Sequence, residues 1–134
     1  MTPCEHLETW HFGTDNDKLV ALVLSGKKTA TTYLYTPSSP SEIGEEAILT
    51  YDNGKKACIT KTTQIIITEF KNITWELARL EGESNNLSEW QASHQDFFSL
   101  INPDFNHETK VIFEIFEVIK ICKESCPITD SLTT

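Results

Sequence analysis

The corner at residues 26–32, Gly-Lys-Lys-Thr-Ala-Thr-Thr, contains the side chains best suited to chemistry in this chain. Lys27 and Lys28 bring positive charge, and threonine hydroxyls follow them. A lysine that is partly removed from water loses proton affinity and can then act as a base toward a hydroxyl. Lys28 and Thr31 are therefore the candidates for such a base and for the hydroxyl that it activates. An exposed Lys28 would instead only balance the C-terminal end of a helix dipole.

Glu81 is a candidate partner for this lysine. It stands at the end of a predicted short helix, beside Gly82, where a carboxylate is placed unfavourably in the field of the helix dipole. Glu81 could pair with Lys28 and keep it charged, or it could act as a general acid. Glu83 is an alternative for the same role, and a solvated glutamate at a helix end is the interpretation without function.

Aromatic and polar side chains near this corner predict a binding surface for one small ligand. Aromatic rings can stack on a nucleobase, although each ring can equally belong to the core. The residues predicted to bind substrate are Lys27, Thr29, Tyr33, Trp10 and Phe12. His94, one helical turn after Trp90, is interpreted as a hydrogen-bonded structural histidine.

Neither a metal nor a cofactor is predicted. The four cysteines lack the paired spacing of a zinc site or of a disulfide framework, and Cys58 is expected to be a buried thiol in a strand. His6, His11 and His107 lack the spacing or the partners of a metal site.

Periodicity and turn residues predict the elements that position these side chains. Apolar spacing indicates a helix over residues 15–24 that Gly26 ends. Strands are expected over 29–35, 46–51, 56–62, 64–70 and 110–121, with Asn53-Gly54 at a hairpin tip. A short helix over 73–80 ends at Gly82, and a capping box at Ser88 opens a helix whose Trp90, Phe97 and Phe98 face the core.

Many strands with segregated helices indicate an α+β fold around a mixed, barrel-like sheet. The 134 residues suit one domain, assigned to residues 1–122, followed by a polar tail over 123–134. The sequence has no signal pattern and no long apolar run, so a cytoplasmic protein without membrane association is expected.

The charge of the chain argues against a broad nucleic-acid surface. Acidic residues outnumber basic ones 20 to 11, for a net charge of −9, whereas long nucleic acids are bound largely by Lys and Arg. No long DNA partner is expected, and long RNA should bind only weakly. A pocket with a local positive spot, reading one nucleoside or a short RNA, is compatible with this charge.

The motifs at residues 26–31 and 78–83, followed by Trp90, His94 and Phe97-Phe98, resemble the ASCH domain family. These are PUA-like relatives of RNA-binding domains, and the resemblance spans roughly residues 10–119. It implies a PUA-like mixed β-barrel with flanking helices. Residues 10–13 and the helix over 90–98 resemble a longer, bacterial-type subgroup of the family.

The resemblance also implies an activity. The smallest members share Gly26-x-Lys28-Thr29-x-Thr31 and Ala78-x-x-Glu81, and there a lysine, a threonine and a glutamate hydrolyse the acyl amide of N4-acetylcytidine. Some longer members are ribonucleases. Lys28, Thr31 and Glu81 are thus predicted to be catalytic in a nucleoside- or RNA-directed hydrolase. The alternatives are a non-catalytic module that binds RNA or a nucleotide, and a protein-interaction domain.

Overall fold

Five strands and three α-helices make up the described part of the computed structural model, residues 7–38 and 41–122. The strands are β1 (Thr9–Trp10), β2 (Ala30–Leu34), β3 (Glu46–Thr50), β4 (Lys56–Glu69) and β5 (Lys110–Ile121), and the helices are α1 (Asn16–Leu24), α2 (Trp75–Ala78) and α3 (Leu87–Ile101). Short 3-10 turns at Phe70–Asn72 and Arg79–Glu81 flank α2. The predicted tail over 123–134 lies outside the described residues.

The strands form one mixed sheet in the order β1-β3-β4-β5-β2. β1 runs parallel to β3, and the other neighbouring pairs are antiparallel. The predicted strands over 56–62 and 64–70 are one strand, β4, with a register irregularity between Thr62 and Gln64 of the kind that bends a sheet. The α+β class is confirmed. Within the described residues the sheet is open rather than closed, which is compatible with a barrel-like PUA fold.

Each face of the sheet is covered by its own core. On one face, α1 packs Val20 and Val23 near Cys58 and Phe116. On the other, α2 and α3 pack a group that includes Trp90, Phe98, Val111 and Phe113. Side chains alternate between the two faces along a strand. Val111, Phe113 and Ile115 of β5 therefore lie on the face covered by α3, here called the α3 face. Glu114 and Phe116 lie on the opposite face, which α1 covers and which is called the α1 face.

The late helix confirms part of the prediction and corrects the rest. Trp90 and Phe98 are fully buried, and Phe97 is partly buried and packs against the same core, as predicted. The capping box does not start at Ser88: Asn86 is the N-cap, and its side chain accepts a hydrogen bond from Glu89 N at 2.9 Å. The Asx side chain two residues earlier offers the better-placed acceptor for the free amides of the first turn.

The corner that carries Lys28 is joined to the turn after α2 by close backbone contact. Thr29 N donates to Leu80 O at 2.8 Å. Gly82 has a φ of 73°, and a Cβ built on it would lie 2.3 Å from Lys27 O. Gly82, which was predicted to end the short helix, therefore also packs directly against the backbone of Lys27. This close approach brings Glu81 to Lys28.

Gly82→Ala is expected to destabilise the protein more than Gly54→Ala. Both glycines have positive φ, but a Cβ on Gly54 would meet nothing within 4 Å. The left-handed conformation alone costs about 1–2 kcal/mol for an L-residue, and overpacking against Lys27 adds about 1–3 kcal/mol at Gly82. Urea unfolding of both variants measures the difference, and equal losses would contradict the backbone contact.

Candidate active site

Four ionisable side chains meet beside the corner: Lys28, Glu81, Glu83 and His94, here called the ion cluster. Lys28 and Glu81 are each 2% exposed. Lys28 Nζ donates to Glu81 Oε1 at 3.1 Å and to Glu83 Oε2 at 2.6 Å. Glu83 is more accessible, with 29% of its side chain exposed. Lys28 therefore forms ion pairs with both glutamates that the sequence offered as its partner, Glu81 and Glu83.

The carboxylate of Glu81 is surrounded by four donors. Oε1 faces Lys28 Nζ and, at 3.2 Å, His94 Nε2, while Oε2 accepts from Thr32 Oγ1 at 2.6 Å and Trp90 Nε1 at 3.1 Å. Burial opposes ionisation, but the charge of Lys28 and the bonds and charge of His94 outweigh it and lower the pKa of Glu81 to about 2. An ionised carboxylate has no proton to give, so the geometry favours ion pairing over general-acid action.

His94, predicted from the sequence to be a hydrogen-bonded structural histidine, makes such hydrogen bonds and also belongs to the site. Its ring stacks on Trp90 at 4.2 Å. Nδ1 lies 2.9 Å from Trp90 O and Nε2 lies 3.2 Å from Glu81 Oε1. Both partners are acceptors, so the geometry favours a proton on each ring nitrogen. Burial lowers the pKa of His94. The hydrogen bond and the charge of Glu81, with smaller effects of Trp90 O and Glu83, raise this pKa by more, so it lies above its usual value.

Two neighbouring threonines of β2 point to opposite faces of the strand. Thr32 is buried and donates to Glu81, whereas Thr31, the predicted nucleophile, is half-buried on the other face. Among the described residues, the Thr31 hydroxyl makes no hydrogen bond to Lys28 or Glu81. Lys28 and Glu81 are thus brought together directly, and Thr31 joins them only by lining the same cavity.

The cavity beside the ion cluster has a volume of about 660 Å³. Of the predicted site residues, Lys28, Thr31, Glu81, Trp10, Phe12 and Tyr33 line it. Trp10 and Phe12 form an edge-to-face pair at 4.9 Å, and the Phe12 ring lies 5.3 Å from Lys28 Nζ. Lys27 is exposed and Thr29 turns its hydroxyl toward Leu80 O; neither is among the residues that line this cavity.

A second polar group lines the cavity on the α1 face of the sheet. Glu114 Oε1 accepts from Tyr33 OH at 2.8 Å, and Oε2 accepts from Thr62 Oγ1 at 2.7 Å. Burial, together with the neighbouring Glu114, raises the pKa of Tyr33 to about 12, so its hydroxyl remains a donor. This group was not predicted from the sequence. The signal that could have indicated it is Glu114, an acidic residue within the otherwise apolar middle of β5.

The charge of the cavity wall is predominantly negative. Its carboxylates come from Glu8, Asp15, Glu45, Glu81, Glu83 and Glu114, against the cations Lys28 and His94. Both cations are already paired within the ion cluster. Such a wall disfavours a phosphate and suits a neutral ligand rich in hydrogen-bond donors. In the part of the chain that the structure describes, no three His, Cys, Asp or Glu side chains are arranged to hold a metal ion.

Comparison with protein families matches an ASCH domain model to residues 8–120. The chain belongs to the ASCH domain family. An ASCH domain from Lactobacillus crispatus has a TM-score of 0.77 and 24% identity, covering 85% of this chain and 80% of its own. Protein EF3133 from Enterococcus faecalis gives 0.76 and 24%, covering 88% and 83%. A mutant of ZmASCH from Zymomonas mobilis gives 0.54 and 12%, covering 89% and 75%.

At identities of 24% and below, these structural similarities show the fold of this ASCH domain and not its reaction. No curated protein matches the sequence. No helix within residues 7–38 and 41–122 is long and apolar enough to cross a membrane.

Proposed function

We propose that this ASCH domain is a hydrolase that cleaves the acyl amide of a modified pyrimidine nucleoside such as N4-acetylcytidine. The observation that carries the proposal is the buried Lys28–Glu81 ion pair, which opens into a cavity of about 660 Å³. This volume is within the range of about 300–1,000 Å³ typical of small-molecule sites. The wall also offers Thr31 as a hydroxyl and Trp10 and Phe12 as apolar surface for a base.

Lys28 is the proton carrier in this mechanism. Transfer of a proton from Nζ to Glu83 Oε2, 2.6 Å away, produces the neutral amine. The amine accepts the proton of the Thr31 hydroxyl as Oγ1 attacks the amide carbon. The C–N bond then breaks, and Lys28 returns the proton to the leaving nitrogen. Water then attacks the threonine ester, the ester C–O bond breaks to release the carboxylic acid, and the Thr31 hydroxyl is restored. Glu83 Oε2 returns its proton to Lys28 Nζ, while Glu81 stays ionised and holds Lys28 in position.

The charge of the cavity favours a nucleoside over an RNA strand. Six carboxylates face two cations that are already paired, so a phosphodiester entering the cavity would meet net repulsion. RNA cleavage, the other activity that the family resemblance implies, needs that phosphodiester at the reacting position. The uncharged base and ribose of a nucleoside avoid this penalty.

A recognition module without turnover is the second candidate. The observation that favours it is the Thr31 hydroxyl, which makes no hydrogen bond to Lys28 within the described residues. The same cavity would then hold a nucleoside or one RNA nucleotide without cleaving it.

Two single-threonine variants test the proposal, with release of cytidine from N4-acetylcytidine as the measurement. Thr31→Val removes the nucleophile at nearly constant shape and should lower kcat by more than about 10³-fold. Thr32→Val is the matched control, because it keeps Thr31 and removes one of the four donors to Glu81. It should reduce the free energy of unfolding by about 1.5–3 kcal/mol and lower kcat far less.

Three results separate the candidates. Full activity in Thr31→Val would remove this hydroxyl from the mechanism. Binding of the nucleoside without turnover by the wild-type protein would favour the recognition module. Cleavage of short RNA in preference to N4-acetylcytidine would contradict the argument from cavity charge.

A further inference from the structure

Glu114 is the cross-strand neighbour of Thr31. The two residues are paired in the β2–β5 register, and directly opposed residues of antiparallel strands have Cβ atoms about 4.5–5.5 Å apart on the same face. Both line the cavity. A carboxylate therefore lies beside the hydroxyl that is proposed to attack the substrate.

The carboxylate of Glu114 is fixed in place without being neutralised. Tyr33 and Thr62 donate to its two oxygens at 2.8 and 2.7 Å. Across residues 7–38 and 41–122, no Lys, Arg or His forms an ion pair with it. Each carboxylate oxygen can accept a second hydrogen bond. Glu114 thus offers an anchored, anionic acceptor to whatever occupies the cavity.

We infer that Glu114 is a specificity-determining residue that accepts a hydrogen bond from the N–H of the scissile amide, so that the site selects secondary amides over tertiary ones. The inference rests on the proposed function for the placement of the substrate. In the inferred pose, the amide nitrogen bonded to the carbon that Thr31 Oγ1 attacks is directed toward the opposed residue, Glu114. The same acceptor would contact the amino group of the product after cleavage.

Two pairs of ligands isolate the N–H group. N4-acetylcytidine is compared with N4-acetyl-N4-methylcytidine in turnover, and cytidine is compared with N4,N4-dimethylcytidine in calorimetric binding. A hydrogen bond to a charged group corresponds to a factor of roughly 10–150 in affinity or rate. The wild-type protein should prefer the N–H ligand of each pair by a factor in this range.

Glu114→Gln should reduce that preference by about tenfold, because the new acceptor is neutral and one of its two polar atoms is a donor. The loss should fall on the N–H ligand and leave the methylated ligand nearly unchanged. If the preference arose only because the methyl groups do not fit the cavity, it would be the same in Glu114→Gln as in the wild-type protein. Glu46→Gln, an exposed glutamate of the same sheet outside the cavity, is the matched control and should keep the wild-type preference.

Glu114→Asp provides the same test if the glutamine variant does not fold, since it retains the charge and withdraws it by one methylene. An unchanged preference in the folded variant would overturn the inference, and so would an equal loss on both ligands of a pair, which indicates a general base or a structural role. The binding pair also separates the two proposals. A preference for cytidine that depends on Glu114, in a protein without turnover, supports the inference while the proposed hydrolysis fails.

Discussion

Replacing Lys28 with methionine is expected to reduce the free energy of unfolding by about 3–5 kcal/mol and to abolish turnover of N4-acetylcytidine. Lys28 is 2% exposed and neutralises Glu81 and Glu83 at 3.1 and 2.6 Å. Methionine fills a similar volume but leaves a buried carboxylate with only His94 as a counter-charge. Urea unfolding measures the stability loss, and activity is measured at a temperature where both proteins are folded.

Lys27→Met is the matched control for this variant. It removes the same charge from the adjacent residue, which is exposed and does not line the cavity. Its stability should stay within about 0.5 kcal/mol of wild type, as expected for surface substitutions, with full turnover. A Lys28→Met protein that is as stable as the Lys27→Met protein would contradict the burial of the ion pair, and full activity would exclude the amine from the mechanism.

Local signals in the sequence account for most of the fold. The helix ended by Gly26 and the strand over residues 110–121 are present with nearly the predicted bounds, because apolar spacing and turn residues act within a few positions. The predicted start of α3 was wrong. Asn86 and Ser88 are both residue types that cap helices well, and in the folded protein Asn86 is the N-cap. Whether the sheet closes depends on contacts between distant strands, which local patterns do not encode.

The ion cluster illustrates how far chemical reasoning from the sequence reaches. The unfavourable position of Glu81 at the end of a helix made a pairing with Lys28 one of several interpretations, and this pairing is present in the structure. The threonines were harder to assign, because shifting a strand by one residue exchanges its faces and only Thr32 contacts Glu81. Glu114 could not be assigned, since its neighbours depend on the register between β5 and strands far away in the chain.

The stability of the wild-type protein is expected to fall at both low and high pH because of the ion cluster. The pKa of Glu81 is lowered from 4.5 to about 2, so its contribution is present above pH 4.5 and is lost as the pH falls toward 2. That shift corresponds to about 3 kcal/mol. The pKa of His94 is raised above 6.5, so its contribution is complete below pH 6.5 and is lost as the pH rises through the folded-state pKa.

Glu81→Gln is expected to change both limbs of this profile and to destabilise the protein by about 3–5 kcal/mol at neutral pH. The acid limb due to Glu81 disappears. Glu81, whose hydrogen bond and charge are the largest causes that raise the pKa of His94, is lost, while burial still lowers this pKa and only the smaller effects of Trp90 O and Glu83 oppose it. The pKa of His94 should therefore fall below 6.5. A protein with a buried histidine of lowered pKa is most stable when that histidine is neutral. The free energy of unfolding of Glu81→Gln should therefore increase with pH near pH 6.5, whereas that of the wild-type protein decreases.

Urea unfolding between pH 3 and pH 9, with NMR titration of the His94 ring, measures this reversal. Glu76→Gln is the control, because Glu76 is an exposed glutamate on the neighbouring helix α2. It should retain both limbs and the raised His94 pKa. If Glu81→Gln also retained the wild-type slope near pH 6.5, then Glu81 would not be the group that holds the proton on His94. The charged groups of the cluster would then be Lys28 and the two carboxylates that it contacts, Glu81 and Glu83, with His94 as a neutral neighbour.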